Sequence, residues 1–191
     1  MPPKIRVSKE EILAAAVKLV REQGEGGINA RALAGELGCS TQPIFSNFAS
    51  MEEVRAAVLS ECNKVYGAYI EKEMATGKWP RYKAFGMAYI RFAIEEKELF
   101  RLLFMRDRSH EAKSAEDAPN EVYAVLQEQL GVSREDAKLI HFEMWVYVHG
   151  IATLLVTSYQ SMSEELISLT ITDVYNGLRA KYVEEKQNGS C

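Results

Sequence analysis

The chain has 191 residues, 47% of them hydrophobic, enough for one sizeable core or for a small domain joined to a larger one. Its 23 Lys and Arg against 27 Asp and Glu give a net charge of −4, which excludes a protein coated in basic residues. Cys39, Cys62 and Cys191 are odd in number and widely spaced with no C-x-x-C pair, which argues against a metal knuckle and for reduced thiols. No apolar h-region follows Met1-Pro2-Pro3-Lys4, and no run reaches the roughly 18 apolar residues of a membrane span. The expectation is a cytoplasmic protein with no membrane partner, no metal and no cofactor.

Helix signals occur along nearly the whole chain. Ser8-Lys9-Glu10-Glu11 is a capping box before Ile12, Leu13, Ala16, Val17, Leu19 and Val20, and Gly24 ends that helix. Asn29 caps a second helix carrying Leu33 and Leu37, and Gly38 supplies the left-handed residue that stops it. Ser40 is expected to cap a short third helix ending in Phe48. Ser50-Met51-Glu52-Glu53 opens a long helix that ends near Gly77. Trp79-Pro80 starts the next, with Phe85, Ala88, Tyr89, Phe92 and Ala93 on one face, and Glu98 to Met105 continues after a break. Residues 106–118 read as a loop. Pro119 opens a helix to Leu130, Ser133 caps one reaching Tyr159, and the run Ser161 to Glu164 caps the last, which extends to about Val183 before a polar tail. The count is about nine helices and no strand, an all-α fold.

Two short helices around a glycine-bearing turn, at about 29–48, have the form of a helix-turn-helix, a unit that places a helix in the DNA major groove. Residues 1–50 carry six basic and five acidic side chains, leaving the acidic excess to the rest of the chain. An anionic partner is therefore least repelled here. Gln42 and Asn47 are candidates for bidentate pairing with adenine. Arg31 and the basic arm Lys4 and Arg6 are candidates for the backbone or a minor groove. Asn29, Ser40, Thr41, Pro43, Phe45, Ser46 and Ser50 complete the expected DNA-binding set. Ile44 and Phe48 read as core.

Residues 8–57 resemble the DNA-binding head of the TetR family of bacterial transcriptional repressors. The resemblance rests on Ile12-Leu13-Ala14-Ala15-Ala16, the connector Gly24 to Asn29, and Leu33-Ala34 leading to Gly38-Cys39-Ser40. It continues in Ile44-Phe45-Ser46-Asn47-Phe48 and Ser50-Met51-Glu52-Glu53-Val54. A further run, Trp145-Val146-Tyr147-Val148-His149-Gly150, is similar to the W-x-x-x-H-G signature of one class of TetR-family C-terminal domains. Three positions depart from the family pattern. Phe45 stands where a tyrosine hydroxyl usually reaches a phosphate, Met51 replaces a phosphate-binding lysine, and Pro43 stands where threonine is frequent. The resemblance implies a DNA-binding domain over 5–65 and an effector-binding and dimerisation domain over 66–191.

The second half presents Ile140, Met144, Trp145, Val148, Ile151, Ala152, Leu154, Leu155 and Val156 on one helix that is apolar nearly all round. Burial on more than one side is expected, most economically by a second subunit. Ala152 and Val156, with Ile167, Ile171, Val174 and Leu178 of the last helix, are the expected dimer contacts, completing a four-helix bundle. Phe85, Tyr89, Phe92, Phe104, Tyr123, His141, Trp145 and His149 are candidates for an effector pocket, against the plainer reading of core packing. No catalytic arrangement stands out. The sequence thus points to a non-enzymatic, homodimeric regulator that binds a pseudopalindromic duplex and is released from it by an unidentified small molecule. The alternative is an all-α enzyme or ligand-binding protein with a fortuitous helix-turn-helix. The two differ in whether a specific duplex is bound.

Overall fold

The computed structural model describes residues 7–109 and 119–184. Among these the chain forms nine α-helices and no strand, as the cap and breaker pattern predicts. They are α1 (Lys9–Gln23), α2 (Ala30–Glu36), α3 (Gln42–Asn47), α4 (Met51–Ala75), α5 (Arg81–Glu95), α6 (Lys97–Phe100), α7 (Asn120–Leu130), α8 (Arg134–Val156) and α9 (Glu164–Arg179). A single 3₁₀ turn at Glu25–Gly27 follows α1, and wider π-type turns extend α6 over Arg101–Met105 and α9 over Ala180–Glu184. The basic arm Lys4 and Arg6, most of the expected loop 106–118, and Cys191 lie outside the described residues.

The described residues fall into two compact units. The first holds residues up to Ala68 together with Glu95–Arg108. α1 starts at the expected capping box: Ser8 Oγ accepts from the Glu11 N–H at 3.1 Å, and the Glu11 carboxylate accepts from the Ser8 N–H at 2.7 Å. Its apolar stripe, Ile12, Ala16 and Val20, is fully buried with Leu33, Ile44, Phe48, Val54 and Val58. Full burial of a large aliphatic or aromatic side chain contributes roughly 1.5–3 kcal/mol, and Ile28, Leu99 and Phe100 of the same unit are buried as well. α6 also packs on α1, and its start is fixed by Arg21, whose Nε and Nη2 each donate to Glu96 at 2.8 Å. Cys62 is fully buried here, and desolvation pushes its thiol up to about 11, so it is an inert core residue.

The second unit holds Tyr69–Ile94 and the described residues from Pro119 onward. α7 packs on α8 and α8 on α9. Gly86 of α5 admits Val148 and Ile171, whose methyl groups lie 3.6 and 3.9 Å from where its Cβ would be. Among the described residues one charged residue is buried, Glu73. Its carboxylate accepts from Trp79 Nε1 and Arg91 Nε, both at 2.9 Å. Arg91 also reaches Glu164 at 3.4 Å, and Glu164 accepts from Lys78. A buried carboxylate is tolerated only with such partners.

α8 corrects one sequence expectation. It ends at Val156 rather than Tyr159, and Tyr159 is exposed. It is buried along one side only. Leu139, Phe142, Trp145 and Val146 remain in solvent, as do Leu166 and Leu169 of α9. An apolar sequence shows that a helix avoids water, but not which neighbour covers each side.

Candidate nucleic-acid interface

α2 and α3 are joined by residues 37–41. Gly38 takes φ +62°, and the Cys39 N–H donates back to the Ala34 carbonyl at 3.0 Å. A left-handed residue at this point closes the helix end and redirects the chain, which is why glycine stands there. The residue capping α3 is Thr41, not Ser40, and it makes no side-chain cap bond. The reason lies in Pro43. With Ser40 as cap, proline would occupy the third helical position, which normally donates to the capping side chain, and proline has no N–H. Pro43 instead sits in the first turn of α3, where the missing donor costs nothing.

The expected DNA-binding residues divide by what their side chains already do. Asn29 accepts from the Ala32 N–H at 2.9 Å and is the cap of α2. Ser46 Oγ donates to the Gln42 carbonyl at 2.9 Å. Asn47 Nδ2 donates to the carbonyls of Pro43 at 2.8 Å and Val7 at 3.1 Å, so its amide donors hold the chain entering α1. Ser50 Oγ accepts from the Glu53 N–H, and the Glu53 carboxylate accepts from the Ala49 N–H at 2.7 Å. Arg31, Ser40, Gln42 and Phe45 are exposed, and Thr41 and Pro43 partly so. Gln42, Phe45 and Ser46, at i, i+3 and i+4, share the outer face of α3, while Ile44 and Phe48 are buried.

Charge is sparse on this surface. α3 contains no ionisable side chain. The first turn of α4 carries Glu52 and Glu53, and a hydrogen bond with Ser50 holds the Glu52 carboxyl below the ordinary range. A phosphate approaching that helix start meets carboxylates as well as backbone N–H groups. The cations of α1 and α4 on this unit are largely engaged: Lys18 with Glu36 at 2.6 Å, Lys9 with Glu53 at 3.7 Å, and Arg55 with Glu52 at 3.9 Å. Arg31 has no ion-pair partner among the described residues.

The candidate pocket residues are not one cluster. Phe104 lies in the first unit, against Tyr66 and Phe100. The other seven lie in the second unit, where Phe92 and Tyr123 are core. Tyr89 Oη and His149 Nδ1 form a hydrogen bond at 2.8 Å, and Trp145 stacks on the same imidazole, centroids 5.1 Å apart. Burial pushes the His149 pKa down. His141 bonds through Nδ1 to Tyr82 Oη at 3.1 Å and lies edge-on to Tyr123. Tyr82 is not among the expected pocket residues, because a partner on another helix has no sequence signature. A cavity of about 350 Å³ is found instead in the first unit, lined by Glu25, Glu98, Arg101, Leu102, Met105 and Arg106, none of them in the expected set.

Of the expected dimer contacts, Ala152, Val156, Ile167, Ile171 and Leu178 are buried within a single chain, and Val174 is half-buried. The apolar side chains that remain available on α8 and α9 are Leu139, Phe142, Val146, Leu166 and Leu169. Gly150 of α8 and Gly177 of α9 both face open space.

The architecture defines an all-helical protein with a helix–glycine turn–helix unit near its start and a separate helical second unit. Residues 82–171 match the family described as tetracyclin repressor-like, C-terminal domain. A solved structure of a TetR-family member from Streptomyces coelicolor A3 has the same fold, with a TM-score of 0.57 at 17% identity over 87% of this chain and 96% of that one. No curated protein matches the chain. Residues 82–171 are thus similar to a TetR-type C-terminal domain, and the chain shares its fold with a TetR-family member.

Proposed function

We propose that the protein is a homodimeric, sequence-specific DNA-binding regulator, a repressor released from its operator by a small molecule. The observation that carries this reading is the face of α3. Gln42 and Phe45 stand in solvent side by side, on a helix otherwise fixed by buried Ile44 and by the Asn47 bonds. A short rigid helix that holds an amide and a ring outward suits the reading of base edges. Residues 5–65 then act as the DNA-binding head and 66–191 as the effector and dimer domain.

Dimerisation is supported by the exposed apolar side chains Leu139, Phe142 and Val146 of α8 and Leu166 and Leu169 of α9. Exposed apolar side chains repeated at i, i+3 and i+7 along one helix mark an interaction surface. Two such helix pairs from two subunits make a four-helix bundle. An effector shifts the protein off DNA only by binding better to the state whose heads are wrongly spaced.

The test is selection of duplexes from a randomised pool by the full-length protein, with sedimentation of the complex. Enrichment of a two-fold symmetric site bound by two chains is the expected result. Enrichment of nothing, or binding indifferent to sequence, overturns the reading and leaves a helical ligand-binding protein or enzyme as the alternative.

A further inference from the structure

We infer that Phe45 reads the C5-methyl group of a thymine, beside an adenine held by Gln42, so that each half-site is centred on A·T pairs. The inference rests on the DNA-binding reading of the first unit and specifies its ligand. Three observations carry it. α3 has the sequence Gln42-Pro43-Ile44-Phe45-Ser46-Asn47 and contains no arginine or lysine, the side chains that pair bidentately with guanine. The polar groups next to Gln42 on this helix are committed: the Ser46 hydroxyl donates to the Gln42 carbonyl, and the Asn47 amide donates to the carbonyls of Pro43 and Val7. Phe45, by contrast, is 48% exposed although Ile44 and Phe48 on either side of it are buried.

An exposed phenylalanine on a six-residue helix has no packing reason to be there. Phe45 lacks the hydroxyl that would bind a phosphate. What its ring can gain from DNA is apolar contact, and the major groove offers one apolar group, the thymine methyl. The spacing suits this. Three residues along a helix advance about 4.5 Å, and neighbouring bases on a strand are about 3.4 Å apart. Gln42 and Phe45 therefore address positions about one base step apart. An adenine for the amide and a thymine for the ring satisfy both without a guanine contact.

The experiment uses the full-length protein and the symmetric duplex it enriches from a randomised pool. Each thymine of a half-site is replaced in turn by deoxyuridine, which removes the methyl and leaves the base pair intact. The expected result is one thymine per half-site whose replacement weakens binding about fourfold, the effect of losing one buried methyl-sized group. Replacement in both half-sites together is expected to weaken it about 15-fold, the square of that factor. In Phe45→Ala the same replacement changes nothing, and in Phe45→Leu, which keeps an apolar contact, part of the sensitivity returns. The ring is half in solvent, so neither variant opens the core, and unchanged circular dichroism checks this. Binding that ignores every thymine methyl, or methyl sensitivity that persists in Phe45→Ala, overturns the inference while leaving the DNA-binding reading intact. If no duplex is enriched, the DNA-binding reading falls and the inference with it.

Discussion

Replacing Phe142 with glutamate is expected to split the proposed dimer without unfolding the subunit. The side chain is 54% exposed in the single chain. A fully exposed phenylalanine presents about 200 Å², so about 110 Å² is available for burial against a partner. At about 25 cal/mol per Å² this is about 2.7 kcal/mol per side chain, or about 5 kcal/mol for the two copies in a symmetric dimer. Association costs and imperfect packing take a large share of such area sums. If half survives, Phe142→Ala weakens dimerisation about 100-fold. Phe142→Glu adds an unpaired carboxylate to the interface and weakens it further.

The assay is sedimentation velocity over a concentration series, with circular dichroism as the check on folding. Phe142→Glu is expected to run as a folded monomer where wild type is a dimer, and to lose binding to a two-half-site duplex. Ala152→Arg is the contrast. Ala152 has no exposed surface, so a charge there disrupts the subunit core before it reaches any interface. A Phe142→Glu protein that sediments as wild type would refute the assignment of this face. A dissociated, folded Ala152→Arg would refute the reading of that residue as core.

Three further outcomes follow from named contacts. Glu73→Ala removes the acceptor for Trp79 Nε1 and Arg91 Nε. Because Arg91 keeps Glu164 and is partly in water, the loss on urea unfolding should be about 3 kcal/mol, the lower end of the range for breaking a buried pair. Burial lowers the His149 pKa, so the unfolded chain takes up the proton first. Stability is then fully present above the ordinary value of about 6.5 and falls as pH drops below it, and His149→Asn should flatten that part of a stability–pH curve. Met51→Lys puts an ammonium at the start of α4 and should steepen the log K against log salt line for duplex binding by about one unit per head; parallel lines for mutant and wild type would mean that Met51 does not face the phosphate backbone.

The local features of the fold were legible because their causes are local. The Ser8 box, the Asn29 and Ser133 caps, and left-handed Gly38 and Gly131 each declare themselves within four or five residues. The cap of α3 falls on Thr41 rather than Ser40 because two local rules compete there, and the missing N–H of Pro43 outweighs the serine preference. Distant pairings left no trace. Nothing in the sequence near Arg21 announces Glu96, and Tyr82 and Tyr89 gain their histidine partners only when α5 meets α8. The candidate DNA surface was legible as a set of residues but not by role. Asn29, Ser46, Asn47 and Ser50 have side chains committed to backbone groups, whereas Gln42 and Phe45 stand outward. Most of the expected dimer contacts are buried within the single chain for a related reason. Apolar periodicity marks what is buried, and in α8 and α9 the strongest periodicity belongs to the subunit's own core.

The low charge of the candidate DNA surface and the exposed stripe on α8 and α9 bear on each other. On the proposed reading, a head with no cation on α3 and a methionine at position 51 makes few phosphate contacts from these two elements, which keeps their share of the non-specific affinity small. Two linked heads change this, because once one half-site is held the second binds at the effective concentration set by the dimer rather than at the bulk concentration. The weaker a single head, the larger the fraction of operator binding that depends on both heads engaging together. Loss of the dimer, or an altered separation of its heads, therefore has most effect in a protein whose individual heads hold DNA least. On this reading, the sparse cations of the first unit make binding responsive to the second. Adding phosphate contacts, as in Met51→Lys, should raise affinity while making the complex harder to release by any change in head spacing.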